Sequence, residues 1–260
     1  MILDMYLAET AAGLLGLAIG SFLNVVVHRV PRGGSLTQPG SSCPSCGTRL
    51  KPLDNVPVLS WLWLRGRCRT CGARISARYP LIEALTAVLF VVAVLRYDDL
   101  EVAAFVAAAS AVFVALSFID LEHRRVPNVI VLPAAAVALV WVGAASLLRG
   151  DPTLIAWSVA GGVGFFTLML LIALISPGGM GMGDVKLALF IGVVAGRFGP
   201  GAVAVAVMAG FFVGGLVAVA VLITGRGGRK TAVPFAPMLC VGAMIALYLG
   251  RPLVSAWLGV

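Results

Sequence analysis

Two aspartates stand out because the apolar segments around them hold almost nothing else that can carry a proton. Asp120 closes the run AVFVALSFID, and Asp184 follows the glycines of ISPGGMGMGD. An ionisable side chain placed in hydrocarbon costs at least about 2.5–3.5 kcal/mol on insertion scales, so each needs a reason. Two carboxylates that converge cannot both ionise cheaply, and such a pair shares one proton. The ionised member can then activate a water while the protonated member donates to a peptide carbonyl oxygen, which is aspartic-protease chemistry. Taken singly, each acid has a plainer reading. Asp120 would be a solvated helix end facing Arg124 and Arg125, and Asp184 the N-cap of the helix that follows. A simple cap needs no run of four glycines, and Gly178, Gly179, Gly181 and Gly183 all precede Asp184. Gly181 and Gly183 are therefore expected to make room for a substrate backbone. The two histidines, His28 and His123, suit no Ser-His pair, and no H-E-x-x-H occurs.

These acids must be positioned by a membrane scaffold. The 260 residues are 60% hydrophobic and 12% charged, with a mean hydropathy of +1.04. Continuous rather than alternating apolar runs predict membrane-spanning helices. Eight segments are expected: 6–27, 79–95, 102–119, 129–148, 154–175, 185–195, 202–223 and 234–249. The sixth is short for a bilayer of about 30 Å and is expected to be a half-span or to be buried by its neighbours. The first shows no cleavage pattern and is expected to stay as a span. The fold class is thus an all-α polytopic membrane protein of about eight transmembrane helices with a small cytosolic four-cysteine, zinc-ribbon-like insert. Its expected organisation is a first span in 1–28, a zinc-binding insert in 29–78 and a transmembrane peptidase core in 79–260.

The formal charge of +8 is explained by topology. With the N-terminus outside, only Arg96, Arg149, Arg197 and Arg251 of the 19 lysines and arginines face outward. The rest, including Lys186, Arg226, Arg229 and Lys230, face the cytosol, as the positive-inside rule requires. Nucleic acid is not an expected partner. The same topology puts Asp120 and Asp184 at one depth, at the cytosolic ends of their spans.

The one long cytosolic segment carries CPSCG and CRTCG, so Cys43, Cys46, Cys68 and Cys71 form two C-x-x-C pairs. Four thiolates on two glycine-containing knuckles suit a closed structural zinc site. The segment is too small for a core of its own and needs a staple. Redox-active or disulfide-bonded cysteines are the alternative, and stable disulfides are disfavoured in a reducing cytosol. Cys240, within the last apolar segment, reads as a packing residue.

On these motifs the chain resembles the prepilin peptidases, bacterial members of the GxGD membrane aspartyl proteases. Gly181-Met182-Gly183-Asp184 matches the namesake motif, continued by Val185-Lys186-Leu187. Phe118-Ile119-Asp120 with Pro127-Asn128 is similar to the first aspartate motif. GSFLNVVVHRVP (Gly20 to Pro31), the four-cysteine insert, RYPLIEALTA (Arg78 to Ala87) and PFAP (Pro234 to Pro237) resemble further family blocks in the same order. The resemblance implies a bacterial inner-membrane aspartyl endopeptidase with its active site facing the cytosol. It would cut the basic leader from type IV prepilins or pseudopilins, with Asp120 and Asp184 as the catalytic pair. The resemblance also implies methylation of the new N-terminus from S-adenosylmethionine, an activity that goes with the cysteine-bearing insert.

Other polar residues carry weaker readings. Glu83, inside the second span, would orient a substrate amine or the methyl-donor site, or pack against a polar partner. Asn24 would hydrogen-bond between helices. Glu122 would tune the local charge or be solvated, and His123 would be a loop residue. Two other function classes fit parts of the pattern. A proton-coupled transporter would place acids near the bilayer midplane between internal repeats. A zinc-dependent membrane adaptor would need the insert alone.

Overall fold

The computed structural model describes residues 2–175, 180–224 and 234–258. Gly178, Gly179, Arg226, Arg229, Lys230 and the side chain of Arg251 lie outside the described residues. Among the described residues the chain forms nine α-helices: α1 (Ile2–Arg29), α2 (Leu59–Trp63), α3 (Arg78–Arg96), α4 (Leu100–His123), α5 (Asn128–Arg149), α6 (Thr153–Ile175), α7 (Met182–Gly196), α8 (Pro200–Ile223) and α9 (Ala236–Leu258). All but the short α2 coincide with the eight expected apolar segments. Six of them, α1, α3, α4, α5, α6 and α8, are long and apolar enough to cross a bilayer, and the chain is a multi-pass membrane protein. Hydrocarbon offers no partner for a backbone amide, so helices that satisfy their own amides are the stable form of such runs.

The chain divides into two compact units, Met1–Ala115 and Leu116–Val260. In the first, α1 packs along α3 through small residues. A Cβ at Gly20 would stand 2.6 Å from Glu83 Cα, and one at Gly16 would meet the backbone of Ala87. This G-x-x-x-G spacing lets two helices touch backbone to backbone, where dispersion replaces the hydrophobic drive that lipid does not provide. Four residues beyond Gly20, the Asn24 amide lies 3.1 Å from Tyr79 O and 3.4 Å from Glu83 Oε1 and donates to both. That is the interhelical role expected of it.

In the second unit α7 is the innermost element, in contact with α5, α6, α8 and α9. Every residue from Phe190 to Gly196 is buried, as are Val185, Leu187 and Ala188. At 15 residues the helix is only about 22 Å long. Of the two expectations for this short segment, burial by its neighbours is the outcome. A helix ringed by protein on every side has no need to match the thickness of the bilayer. The ring closes most tightly on α6: a Cβ at Gly161 would stand 2.6 Å from Gly192 O, and one at Gly196 would collide with Trp157 O.

Overpacking this contact should disrupt the second unit. Gly192→Val should lower the midpoint of thermal unfolding in detergent, by an amount matching about 1–3 kcal/mol or more. Gly164→Val, on the open face of α6 with nothing near its Cβ position, should leave the midpoint within error.

Candidate functional site

Three helix ends of the second unit build the acidic site. Asp120 lies in the last turn of α4, whose closing bond runs from Arg124 N–H to Asp120 O at 2.8 Å. Arg124 then adopts a positive φ of 51°, which stops the helix and turns the chain through Val126 and Pro127 into α5. Asp120 is buried at 5% exposure. Its Oδ2 accepts the N–H of Ala236 at 3.1 Å, at the first residue of α9. The amides of a helix's first turn have no partner within the helix, so Asp120 satisfies one that would otherwise be buried and empty. The neighbouring Pro237 has no N–H to satisfy, which suits it to that first turn.

Asp184 is the third residue of α7, and the N-cap is Gly181 rather than Asp184. The Asp184 N–H donates to Gly181 O at 3.0 Å, and the Asp184 carboxylate accepts the Gly181 N–H in return. This reciprocal arrangement follows the logic of a capping box, with aspartate standing where glutamate or glutamine is usual. The half-buried Asp184 carboxylate also lies close enough to Asp120 for the two charges to act on each other. The two aspartates are therefore brought together, each with one lone pair engaged by a backbone amide and oxygens left for a water. Both sit at helix ends, Asp120 near the close of α4 and Asp184 in the first turn of α7. Neither is in mid-span, where a proton-relay acid of a transporter would stand.

The two glycines before Asp184 occupy different surroundings. A Cβ at Gly183 would stand 2.9 Å from Val126 Cβ, so its missing side chain is taken up by the α4–α5 turn. Gly181 is exposed, and a Cβ there would meet the Asp184 Oδ2 at 3.5 Å. Lys186 Nζ donates to Asn128 Oδ1 at 3.0 Å, tying the N-terminal part of α7 to the first residue of α5. Cys240, one turn into α9, is fully buried and hydrogen-bonded to Ser117 within range of both carboxylate charges. It packs as expected. Glu122 is exposed and His123 half-exposed.

Sequence reasoning missed the amide of Ala236. The signal available was the proline pair of PFAP, which marks a helix start. Nothing in the sequence says which side chain caps it.

In the first unit, each cysteine pair sits in the same small turn. Cys43 N–H donates to Thr48 O at 3.0 Å and Gly47 N–H to Cys43 O at 2.9 Å, while Cys68 N–H donates to Ala73 O at 2.8 Å and Gly72 N–H to Cys68 O at 2.9 Å. Gly47 and Gly72 take φ of 69° and 71°, a region open to glycine at no steric cost. The two turns bring Cys43, Cys46, Cys68 and Cys71 together with all four sulfurs within 4.8 Å of one another. None is in a disulfide. Cys43 and Cys71 sulfurs are 3.8 Å apart, which matches the edge of about 3.8 Å in a tetrahedron with metal–sulfur bonds of about 2.3 Å. The cluster can hold one metal ion, and its donor chemistry fits zinc.

The thiols are electrostatically unequal. The hydroxyl and backbone N–H of Thr48 bring the Cys46 thiol down to about 6. Cys68 is lowered by backbone hydrogen bonds at Cys71 and Thr70. The Ala73 amide also pulls Cys71 down, but the neighbouring sulfurs of Cys46, Cys68 and Cys43, with burial, outweigh it and hold Cys71 up at about 11. A bound cation would relieve that repulsion.

The Glu83 carboxylate accepts the Val58 N–H at 2.7 Å as well as the Asn24 amide. Of its expected readings, this is packing against polar partners. No fit to a methyl donor is offered by the cavity along α6, lined by Ile155, Ala156, Val159, Ala160 and Val163, because all five side chains are apolar.

Comparison with known proteins agrees with this division. Residues 14–97 match the Bacterial Peptidase A24 N-terminal domain, and residues 107–219 match the Type IV leader peptidase family. A "Type 4 prepilin-like proteins leader peptide-processing enzyme" of Escherichia coli O78:H11 is 35% identical, covering 90% of this chain and 91% of its own. A "Prepilin leader peptidase/N-methyltransferase" of Aeromonas salmonicida is 33% identical over 94% of this chain and 91% of its own. One of Bacillus subtilis is 33% identical over 94% and 96%. No solved structure matches the chain.

Elemental analysis of the purified protein should find about one metal ion per chain. Single serine replacements of Cys43, Cys46, Cys68 or Cys71 should each lower that content, and Cys240→Ser should leave it unchanged. Because ligation needs thiolates, protons compete with the ion for the four sulfurs, and the metal content should fall progressively as the pH is lowered.

Proposed function

Since this chain belongs to the type IV leader peptidase family, we propose that it is a membrane aspartyl endopeptidase. It removes the basic leader of type IV prepilins or pseudopilins and N-methylates the new N-terminus. The observation that carries this reading is the convergence of Asp120 and Asp184 from separate helix ends, each within reach of the other's charge. In this reading the two carboxyls share one proton. The ionised member takes a proton from a water, whose oxygen attacks the scissile carbonyl carbon. The protonated member donates to the carbonyl oxygen, and the tetrahedral intermediate collapses when a proton reaches the leaving nitrogen.

The site's place at helix ends suits the substrate. A basic leader followed by an apolar helix would sit with its apolar part in the bilayer and its scissile bond at the boundary. A peptide bond inside a helix is shielded by its hydrogen bonds, so the substrate must unwind locally. Gly181, exposed beside Asp184, leaves room for an extended strand, and Gly183 draws α7 against Val126 and so sets where Asp184 stands. The positive-inside count supports an inner-membrane protein with its N-terminus outside and both acids facing the cytosol. The four cysteines would hold a structural zinc ion, with no open position for water. S-adenosylmethionine is the methyl donor proposed for the second activity, which would be read as methyl transfer to the cleaved pilin.

A cleavage assay on a prepilin in membranes tests the pair. Asp120→Asn and Asp184→Asn should each lower turnover by about 10³-fold or more, because an amide keeps the shape but cannot hold the shared proton. Normal turnover in either variant refutes the assignment. Gly181→Val should cut turnover at least about tenfold with the protein still inserted and its metal retained; an unchanged rate would remove Gly181 from the substrate path.

A further inference from the structure

The insert carries an apolar face that the peptidase reading does not use. Leu59, Leu62 and Trp63 are 63%, 58% and 84% exposed and lie at helical positions i, i+3 and i+4 of α2, which puts them on one side. The helix is not free to roll them inward. Trp61 faces the other way, its indole N–H donating to Ile75 O at 3.1 Å and its ring packed on Gly66, where a Cβ would stand 2.9 Å away. Arg65 adopts a φ of 51° and ends the helix directly after this face. Arg65, Arg67 and Arg74 are all exposed.

The level of α2 is set by its first bond. The Val58 N–H reaches the Glu83 carboxylate at 2.7 Å, and Val58 is held at a φ of 60°, a costly conformation for a β-branched residue. Glu83 is five residues into α3, about 7.5 Å along a helix rising 1.5 Å per residue. With 19 residues, α3 is about 28 Å long and needs nearly all of that to cross about 30 Å of hydrocarbon. Even a glutamate that reaches upward leaves Val58 in the headgroup layer. The residue that follows is Leu59. A tryptophan and two leucines at that depth, with arginines beside them, match the composition of an interfacial helix.

We propose that α2 is an interfacial anchor, in which Leu59, Leu62 and Trp63 enter the boundary between headgroups and acyl chains of the leaflet beside it, with Arg65 and Arg67 set against anionic headgroups. The occupant of this face is lipid, not a protein. The anchor would hold the four-cysteine module against the bilayer surface, and it depends on the membrane reading of α1 and α3, not on the peptidase assignment.

The test uses the full chain reconstituted in phosphatidylcholine–phosphatidylglycerol vesicles. The emission of Trp63 is isolated as the difference between the wild type and Trp63→Phe, or Trp63→Tyr should the first variant fail to retain its metal. The difference signal should be quenched at least about twofold by lipid brominated at the sixth and seventh acyl carbons and little by aqueous iodide. Quenching by iodide without quenching by bromolipid overturns the proposal. So does a signal that becomes shielded only when prepilin is added, which would make this face a protein-docking surface. Prepilin cleavage by the same preparation, measured alongside, separates failure of the anchor from failure of the peptidase reading.

Discussion

Backbone contact between α6 and α7 is the constraint on which the second unit rests. Gly161, Gly192 and Gly196 leave no room for a Cβ, so the helices approach until backbone meets backbone. That closeness lets α7 be enclosed by four neighbours while spanning only 15 residues. Hydrocarbon offers helices no hydrophobic reason to associate, so close packing of small residues supplies the attraction instead. Because α7 is enclosed, the position of its first turn is set by protein contacts on all sides rather than by the bilayer, and Asp184 rides on that turn.

The acids stand where the physics of a membrane makes them least costly. A helix end is the place where free backbone amides are available, and both carboxylates use one: Asp120 that of Ala236, and Asp184 that of Gly181. The partial positive charge of a helix N-terminus favours an anion, and α7 and α9 each present such an end here. Asp120 thus relieves an amide that a buried helix terminus would leave unsatisfied, while Asp184 engages the amide of the exposed N-cap Gly181. The structural need to cap two helices and the proposed chemical need for two converging carboxylates are met by the same pair of side chains.

The insert solves a different problem. Its two cysteine turns repeat one pattern of hydrogen bonds, each closed by a glycine at positive φ, and the apolar residues between them stay largely exposed instead of forming a core. Its order comes from the sulfur cluster at one end and from attachments at others. Asp54, its side chain only 8% exposed, accepts from the half-exposed Arg69 at 2.8 Å. The Glu83–Val58 bond is more consequential because it joins the insert to a membrane helix at a fixed level.

Much of this was legible in the amino-acid sequence. Among the described residues, apolar run length located all eight long helices, because a continuous apolar run in hydrocarbon satisfies its backbone as a helix, and the C-x-x-C spacing located the cysteine cluster. Rarity of charge singled out Asp120 and Asp184. What the sequence could not determine were the contacts between segments far apart along the chain. It did not say whether α7 was a half-span or an enclosed helix, since both are short and apolar. It suggested an N-cap at Asp184, which tertiary structure moved to Gly181. It began an apolar segment at Pro234 but did not show that the Ala236 amide would meet Asp120. It left Glu83 between chemistry and packing, and only the fold put Val58 against it. Local pattern decides which residues are helical and which acids are out of place; which helix ends meet depends on side chains, and missing side chains, that touch only after the chain has packed.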